Sequence, residues 1–223
     1  MKYQNIRKAV FVKRHNRFVA EVIVDGETVF CHVKNTGRCG EIFLPGVIVY
    51  LEESNNKHRK YIYSLIAAEK NGNIINVDSQ APNKAAYEYL KDSLKFDYIR
   101  PEYTWGNSRF DFYAEKEGKK YLIEVKGVTL ERQGVAMFPD APTIRGTKHV
   151  NELIKASEQG YETMILFIVQ MKGITFFTPN AQTDSIFSES LKRASVSGVR
   201  VLAVDCKVTP DTMITDKTVE VRL

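Results

Sequence analysis

The hydrophobic pattern of this 223-residue chain changes its period near residue 82, and this change constrains the fold more than any other feature of the sequence. Before it, short segments of alternating apolar residues, separated by turn pairs such as Asp25-Gly26, predict β-strands. After it, segments with helical spacing alternate with apolar runs such as 164–169. We therefore expect two domains, residues 1–82 and residues 83–223.

The first domain is predicted to be all β. Residues 18–24 alternate along a strand, Asp25-Gly26 marks a hairpin, and further turns are expected at 35–38 and 44–46. Several short strands without a good helix are typical of a small β-barrel or sandwich. An OB-like barrel is the specific prediction.

The second domain is predicted to be a layered α/β unit of the order αβββαβαβ. Asn83 is the expected cap of its first helix and Thr147 that of its second. The predicted helices cover 84–94, 147–158 and 184–197, the strands 98–104, 109–114, 120–126, 164–169 and 200–206, and a loop 134–146. The run 164–169 is fully apolar, which predicts a central strand covered on both faces.

The charge of the chain is uneven. The net charge is +5, residues 1–82 hold 12 basic and 8 acidic residues, and the first twenty residues contain no acid. A basic region of this kind is expected of a protein that binds a polyanion such as nucleic acid, although a basic chain is also common without one.

Other function classes lack their motifs. The longest apolar run has six residues, too short to span a bilayer, and the N-terminus lacks the apolar segment of a signal peptide. Three cysteines without a CxxC pair indicate free thiols in a reducing cytoplasm. A Walker A loop, GxGxxG, HExxH and Gly-x-Ser-x-Gly are all absent from the sequence.

Asp111, Glu124 and Lys126 form the strongest constellation. Glu124 and Lys126 lie two residues apart on one strand and therefore share a face, and a hairpin would bring Asp111 of the preceding strand beside Glu124, with Phe110 and Phe112 on the opposite face. Two carboxylates on adjacent strands suit Mg²⁺ or Mn²⁺, and a nearby lysine can orient a water or stabilise charge on a phosphate. A plain cross-strand salt bridge is the alternative.

Weaker candidates surround this constellation. Glu88 on the preceding helix could add a third carboxylate, although a solvated helix face explains it equally well. Arg145, Thr147 and Lys148 stand at a predicted helix N-terminus, where backbone amides favour phosphate, but simple capping also accounts for them. His149 could bind a phosphate or a proton, yet a single histidine on a helix face is more often structural.

Several stretches together resemble the sugar fermentation stimulation protein A (SfsA) family of bacteria and archaea. They follow in order over nearly the whole chain. They are 17–19 with Asp25-Gly26, 35–38, 44–46, 82–83, 108–112, 124–130, 138–141 with Thr143, Arg145-Gly146, Lys148-His149, and 166–170.

This resemblance implies an OB-like domain followed by a domain similar to PD-(D/E)xK nucleases. Asp111, Glu124 and Lys126 take the positions of the nuclease core, and Glu88 matches the helix acid of several such enzymes. The family is associated with DNA binding and with regulation of sugar (maltose) metabolism. The chain departs from the family pattern at Val33-Lys34, where Cys-Pro is frequent, and from the nuclease signature at Phe110, where proline would stand.

Two main functions follow as expectations. The first is a DNA nuclease that uses Mg²⁺ or Mn²⁺, with Asp111 and Glu124 as metal ligands and Glu88 and Lys126 as further catalytic residues. The second is a largely sequence-nonspecific DNA-binding regulator that does not cleave, and a protein-binding scaffold is the weakest reading. Single- or double-stranded DNA is the expected partner, without a membrane, and a homo-oligomer is left open. The expected DNA contacts are Arg17, Lys34, Asn35, Arg38, Arg145 and Lys148.

Overall fold

The first six strands form a closed barrel with one additional strand. The structure is a computed structural model that describes residues 1–56 and 58–223. The barrel strands are β1 (Ile6–Asn16), β2 (Val19–Val24), β3 (Glu27–Val33), β4 (Ile48–Glu53), β5 (Tyr63–Lys70) and β6 (Asn73–Asn76). Their order is β3-β2-β1-β4-β5-β6, and a further pairing of β3 with β5 closes five of them into the predicted OB barrel.

The strand β2 shows why these residues form a barrel wall. Ala20, Val22 and Val24 are buried and alternate with more exposed neighbours, as one side of a strand faces the barrel interior. Asp25 and Gly26 both adopt positive φ and close the hairpin to β3, as the sequence predicts. Phe18, just before β2, breaks the expected pattern because its side chain is 54% exposed.

The second domain is a nine-stranded mixed sheet with helices on both faces. Its elements are α1 (Ala81–Asp92), β7 (Tyr98–Trp105), β8 (Ser108–Lys116), β9 (Lys119–Val128), β10 (Leu130–Arg132), β11 (Val135–Phe138), α2 (Ile144–Glu158), β12 (Glu162–Val169), β13 (Phe176–Pro179), α3 (Ser185–Val196), β14 (Arg200–Val208) and β15 (Met213–Val221). The strand order is β10-β11-β13-β15-β14-β12-β9-β8-β7, with β9, β12 and β14 parallel.

The buried strand β12 separates two apolar layers. Ile165 and Phe167 belong to the cluster that contains α2 and α3 residues, whereas Leu166 and Ile168 belong to the cluster that contains α1 residues. Burial on both faces explains why this strand is apolar throughout, as the sequence predicts.

Two predicted helix caps are wrong. The helix α1 begins at Ala81, with Gln80 at the N-cap position, because Pro82 suits the first helical turn; Asn83 therefore lies inside the helix. The helix α2 begins at Ile144 because the Thr143 side chain accepts a hydrogen bond from the Gly146 N–H, so Thr147 lies within the helix.

The predicted order αβββαβαβ omits four strands. The stretch predicted as a loop contains β11, which pairs with β10 and with β13. The strand β15 pairs with β14, although Asp216 and Lys217 interrupt its apolar pattern. The pairings of β13 with β11 and with β15 join segments distant in sequence, β10 has only three residues, and charged residues interrupt β15, so local periodicity gives little sign of these strands.

The barrel and the sheet domain share polar contacts and one apolar core. The Asn76 N–H donates to the Gln170 carbonyl at 3.0 Å, and Gln170 Nε2 donates to the Asn76 carbonyl at 3.0 Å. One cluster of buried apolar side chains contains barrel residues and residues of the α2 and α3 face. Among the residues that the structure describes, no helix is both long enough and apolar enough to cross a membrane.

Candidate metal centre and nucleic-acid interface

Glu124 is a buried carboxylate with an uneven set of partners. It lies on β9, between β8 and β12, and is 2% exposed. Lys126 Nζ and His149 Nδ1 both contact its Oε1 atom. Its Oε2 atom is buried and has no hydrogen-bond partner among the described residues. One oxygen of this carboxylate is therefore held by two nitrogens, while the other has no hydrogen-bond partner in the described part of the chain.

The charges around Glu124 keep it ionised. Burial alone raises the pKa of a carboxyl group, because it removes the charged form from water. Here the hydrogen bond from His149 and the positive charge of Lys126 outweigh burial and lower the pKa of Glu124 below its ordinary value. The site therefore holds a buried negative charge at neutral pH.

Asp111 lies close enough to Glu124 for the two charges to repel each other. Its Oδ2 atom accepts a hydrogen bond from the Val125 N–H at 2.8 Å, and its Oδ1 atom accepts one from Asn83 Nδ2 at 2.8 Å. Burial and then the negative charge of Glu124 raise the pKa of the Asp111 carboxyl group, despite these two hydrogen bonds. A positive charge between the two carboxylates would offset both the cost of burying Asp111 and its repulsion by Glu124.

The expected alternation around Asp111 is wrong in one respect. Phe110 packs in the core cluster on the α2 side, where its ring lies 6.1 Å from the ring of His149, whereas Phe112 packs in the cluster on the α1 side. The paired register of β8 and β9 begins only at Phe112 and Ile123, so the strands depart from regular pairing beside Asp111. The Asp111 side chain bonds the β9 backbone at this point.

The donor set fits a hard divalent cation that keeps part of its water shell. Two carboxylates, one with an unpartnered oxygen, match the one or two carboxylates by which Mg²⁺ is usually bound. Among the residues that the structure describes, no group of three or more His, Cys, Asp or Glu side chains is arranged to hold a metal ion. Remaining coordination positions would therefore fall to water or to a substrate oxygen.

Glu88 lies near Asp111, in a cavity whose described lining does not include Glu124. It lines a cavity of about 600 Å³ together with Asn83 and Asp111. Its Oε2 atom lies 2.8 Å from the amino group of Met1, and its side chain is partly exposed. Its catalytic role stays a prediction.

Two members of this site were weakly signalled or missed by the sequence. His149, on α2, contacts Glu124 through Nδ1, and binding of a phosphate or a proton by this residue stays a prediction. Asn83, expected as a helix cap, instead donates to Asp111. A polar residue in the first turn of α1 was the only local sign, because the contact joins residues 28 positions apart.

The predicted DNA contacts fall into two groups. Exposed side chains belong to Arg17, Arg38, Arg145 and Lys148, and Lys148 donates to the Asn107 carbonyl at 2.7 Å. Lys34 instead lies near Glu52 and Asp78, at 3.3 and 3.5 Å. The Asn35 side chain donates to the Val77 carbonyl and accepts from the Gly37 N–H.

Arg14, which the sequence reasoning did not select, organises the loop of the barrel that carries Asn35 and Arg38. Its guanidinium group donates to four carbonyl oxygens, those of Arg17, Asn35, Gly37 and Arg38. The loop conformation therefore depends on a single half-buried cation, and only the turn signal at 35–38 was visible in the sequence.

Comparisons with known proteins cover both domains. Residues 12–77 match the family described as the SfsA N-terminal OB domain, and residues 80–212 match the Sugar fermentation stimulation protein RE domain. A Sugar fermentation stimulation protein homolog of Desulfitobacterium hafniense (strain DSM 10664 / DCB-2) is 51% identical over 225 residues, covering 100% of this chain and 99% of the homolog. A homolog of Ruminiclostridium cellulolyticum is 47% identical over 226 residues and covers 100% of both chains.

A solved structure is similar over nearly its entire length. The structure of Pyrococcus furiosus SfsA in complex with Ca²⁺ aligns with a TM-score of 0.89 and 28% sequence identity. The alignment covers 100% of this chain and 98% of that chain. The arrangement of an OB barrel before a mixed sheet is therefore common to both proteins.

Proposed function

The chain belongs to the sugar fermentation stimulation protein family, and from this premise we propose that it binds DNA and cleaves phosphodiester bonds at a site that depends on Mg²⁺ or Mn²⁺. One observation carries the proposal: among the described residues, the buried Glu124 keeps one oxygen without a hydrogen-bond partner, beside a second carboxylate whose pKa is raised by burial and then by the charge of Glu124. A carboxylate pair left in this state costs free energy unless a cation joins it.

Each residue of the site has a distinct role in this proposal. Asp111 and Glu124 would hold the metal ion, which when bound supplies positive charge for a phosphate oxygen and acidifies a bound water. Lys126, in contact with Glu124, would orient the attacking water and stabilise negative charge on the phosphate. His149 acts through Glu124 and is a positioning residue.

The choice of metal is supported by a relative. The Pyrococcus furiosus protein was solved in complex with Ca²⁺. Calcium, magnesium and manganese all prefer oxygen ligands, so a carboxylate pair accepts each of them, although their coordination distances and geometry differ. We propose Mg²⁺ or Mn²⁺ as the working ion because phosphoryl chemistry uses ions that bind water tightly and polarise it.

The DNA would lie across the basic parts of both domains. Arg17 and Arg38 are exposed on the barrel, and Arg145 is exposed in the first turn of α2. Exposed cations of this kind bind the phosphate backbone without reading its sequence. The family is associated with the regulation of sugar (maltose) metabolism. If this chain has such a role, another factor would have to select the DNA site, because the exposed cations do not read the base sequence.

A DNA-binding regulator that does not cleave is the second candidate. The observation that favours it is the pair of nitrogens on Glu124 Oε1, because Lys126 and His149 already offset part of the carboxylate charge. In that case the fold would keep a nuclease-like core as a structural ion pair and would use only its basic surface.

The test incubates the protein with circular single-stranded DNA and with supercoiled double-stranded DNA, in Mg²⁺, in Mn²⁺ and in EDTA. Cleavage that requires either metal supports the nuclease. DNA that stays intact but shifts on a gel, with an affinity that falls steeply as salt rises, supports the regulator. Absence of both cleavage and binding contradicts the two proposals together.

A further inference from the structure

The cavity between the barrel and the sheet domain has a chemistry that the cleavage site alone does not explain. It has a volume of about 320 Å³, within the range of ligand pockets. Resting on the proposed function, we infer that it holds one nucleotide of the bound DNA, extruded next to the cleaved phosphodiester, and selects bases that carry an exocyclic amino group.

The position of the cavity follows from the topology of the sheet. Gly127, Val128 and Gln170 stand at the carboxyl ends of the parallel strands β9 and β12, and all three line the cavity. Open α/β sheets bind their ligands at this edge. Gly127 follows Lys126 on β9, so the cavity and the proposed cleavage site share this strand.

Gln170 offers an acceptor to this cavity. It is 2% exposed, and its Nε2 atom donates to the Asn76 carbonyl, to Asn76 Oδ1 and to the Asp78 carbonyl. Its Oε1 atom has no hydrogen bond within the described chain and lies against Gly127, where an added Cβ would stand 2.5 Å from it. The amide is therefore fixed by the barrel, and its free oxygen needs a donor.

Asp140 adds a second acceptor. It lines the cavity, and its Oδ2 atom accepts a hydrogen bond from the Arg38 N–H at 3.1 Å. The cavity thus presents an amide oxygen and a carboxylate, both of which require a ligand that donates hydrogen bonds. Adenine, cytosine and guanine carry an exocyclic amino group, whereas thymine presents carbonyl oxygens on both sides of its single ring N–H.

The remaining walls suit a base and exclude its phosphate. Pro82, Leu130 and Phe138 supply apolar surface for the faces of a ring. Among the described residues that line the cavity, none is Lys, Arg or His, so the phosphate would stay outside it. Extruding one base costs stacking energy, least in single-stranded DNA.

The first test needs no variant. Deoxynucleoside monophosphates of all four bases are titrated into the intact protein, and binding is measured by calorimetry. We expect dAMP, dCMP and dGMP to bind about tenfold more tightly than TMP, because one buried hydrogen bond to a charged group is gained or lost. Equal affinity for all four nucleotides, or no binding at millimolar concentration, overturns the inference.

Asp140→Asn tests the acceptor itself. The substituted amide retains an oxygen for the Arg38 N–H but can turn an NH₂ group toward the cavity, which removes or reverses the preference against TMP. Glu41→Gln is the control, since it neutralises another partly buried carboxylate, which lies in the barrel loop that carries Arg38 and is not among the residues that line the cavity. A preference that survives Asp140→Asn in a folded protein contradicts the assignment.

Mapping the cleaved ends separates this inference from the proposed function. Metal-dependent cleavage without base preference, together with uniform nucleotide binding, overturns the cavity assignment and leaves the nuclease standing. Nucleotide selectivity without any cleavage overturns the nuclease and leaves the cavity as a nucleotide site. Cleavage depleted beside thymine, restored by Asp140→Asn, supports both.

Discussion

The unpartnered oxygen of Glu124 and the raised pKa of Asp111 describe one electrostatic situation at the scale of single residues. Two acidic side chains are placed together, one of them fully buried, with a lysine and a histidine gathered on one side only. Such an arrangement lowers the free energy of unfolding of the metal-free protein, and binding of a cation raises it again. The site should therefore respond to divalent metal through stability as well as through activity.

Asp111→Asn should separate these two effects. In EDTA the variant is expected to melt at or slightly above the wild-type temperature, because a repelling charge beside Glu124 is removed. Mn²⁺ at about a hundred times its dissociation constant should raise the melting temperature of the wild type by about 5–10 °C and leave the variant unchanged. Scanning calorimetry measures both shifts.

An exposed aspartate provides the control for this comparison. Asp92→Asn, at the end of α1, should respond to Mn²⁺ as the wild type does. Equal stabilisation of the wild type and Asp111→Asn would place the bound metal elsewhere, and a wild type that ignores Mn²⁺ would contradict the metal site.

At the scale of secondary-structure elements, the sequence predicts those parts whose pattern is local. The hairpin at Asp25-Gly26, the apolar strand β12 and the strands β7 to β9 follow from turn chemistry and periodicity. The strands β10, β11, β13 and β15 do not, because β13 pairs with segments far along the chain, β10 has only three residues, and charged residues interrupt β15. The site shows the same division: Asp111 and Glu124 follow from one hairpin, whereas the contacts of Asn83 and His149 depend on helix packing.

The missed strand β15 carries a charge cluster that makes stability depend on pH. Lys172 and Lys207 lie beside Asp216 and lower its pKa to about 2. Because the folded pKa lies below the ordinary value of 3.8, Asp216 stabilises the fold at pH above about 4, and this contribution disappears as pH falls toward 2. Asp216→Asn should therefore melt below the wild type at pH 7.

The pH series checks this prediction. The difference in melting temperature between the wild type and Asp216→Asn should stay constant from pH 7 to about pH 4 and close between pH 4 and pH 2. A difference that persists unchanged at pH 2 would show that Asp216 contributes through packing and not through its charge.

At the scale of the whole molecule, we expect the barrel and the sheet domain to unfold as one unit. They share an apolar cluster and the hydrogen bonds between Asn76 and Gln170. We expect one calorimetric transition whose van't Hoff and calorimetric enthalpies agree. Two separate transitions would contradict a shared core and would weaken the case for a site formed between the domains.

Asn76→Ala tests this coupling from the barrel side. Loss of buried hydrogen bonds to Gln170 and Tyr3 should cost about 1–3 kcal/mol, while unfolding remains a single transition. The control, Asn55→Ala, removes an exposed amide that bonds Asn5 and no other described residue, and it should change stability by less than about 0.5 kcal/mol. Equal effects of the two substitutions would show that the contact to Gln170 contributes little.

The single-turnover rate of DNA cleavage in Mn²⁺, compared between the wild type, Lys126→Ala and Lys120→Ala, tests whether Asp111, Glu124 and Lys126 form a cleavage site. Lys120 lies on the same strand β9, and its side chain is exposed. Lys120→Ala therefore removes the same positive charge as Lys126→Ala, but at a position outside the proposed site. We predict cleavage by the wild type and Lys120→Ala at similar rates, and a loss of about a hundredfold or more in Lys126→Ala. Cleavage by Lys126→Ala at the wild-type rate would show that this lysine takes no part in catalysis and would contradict the proposed cleavage site.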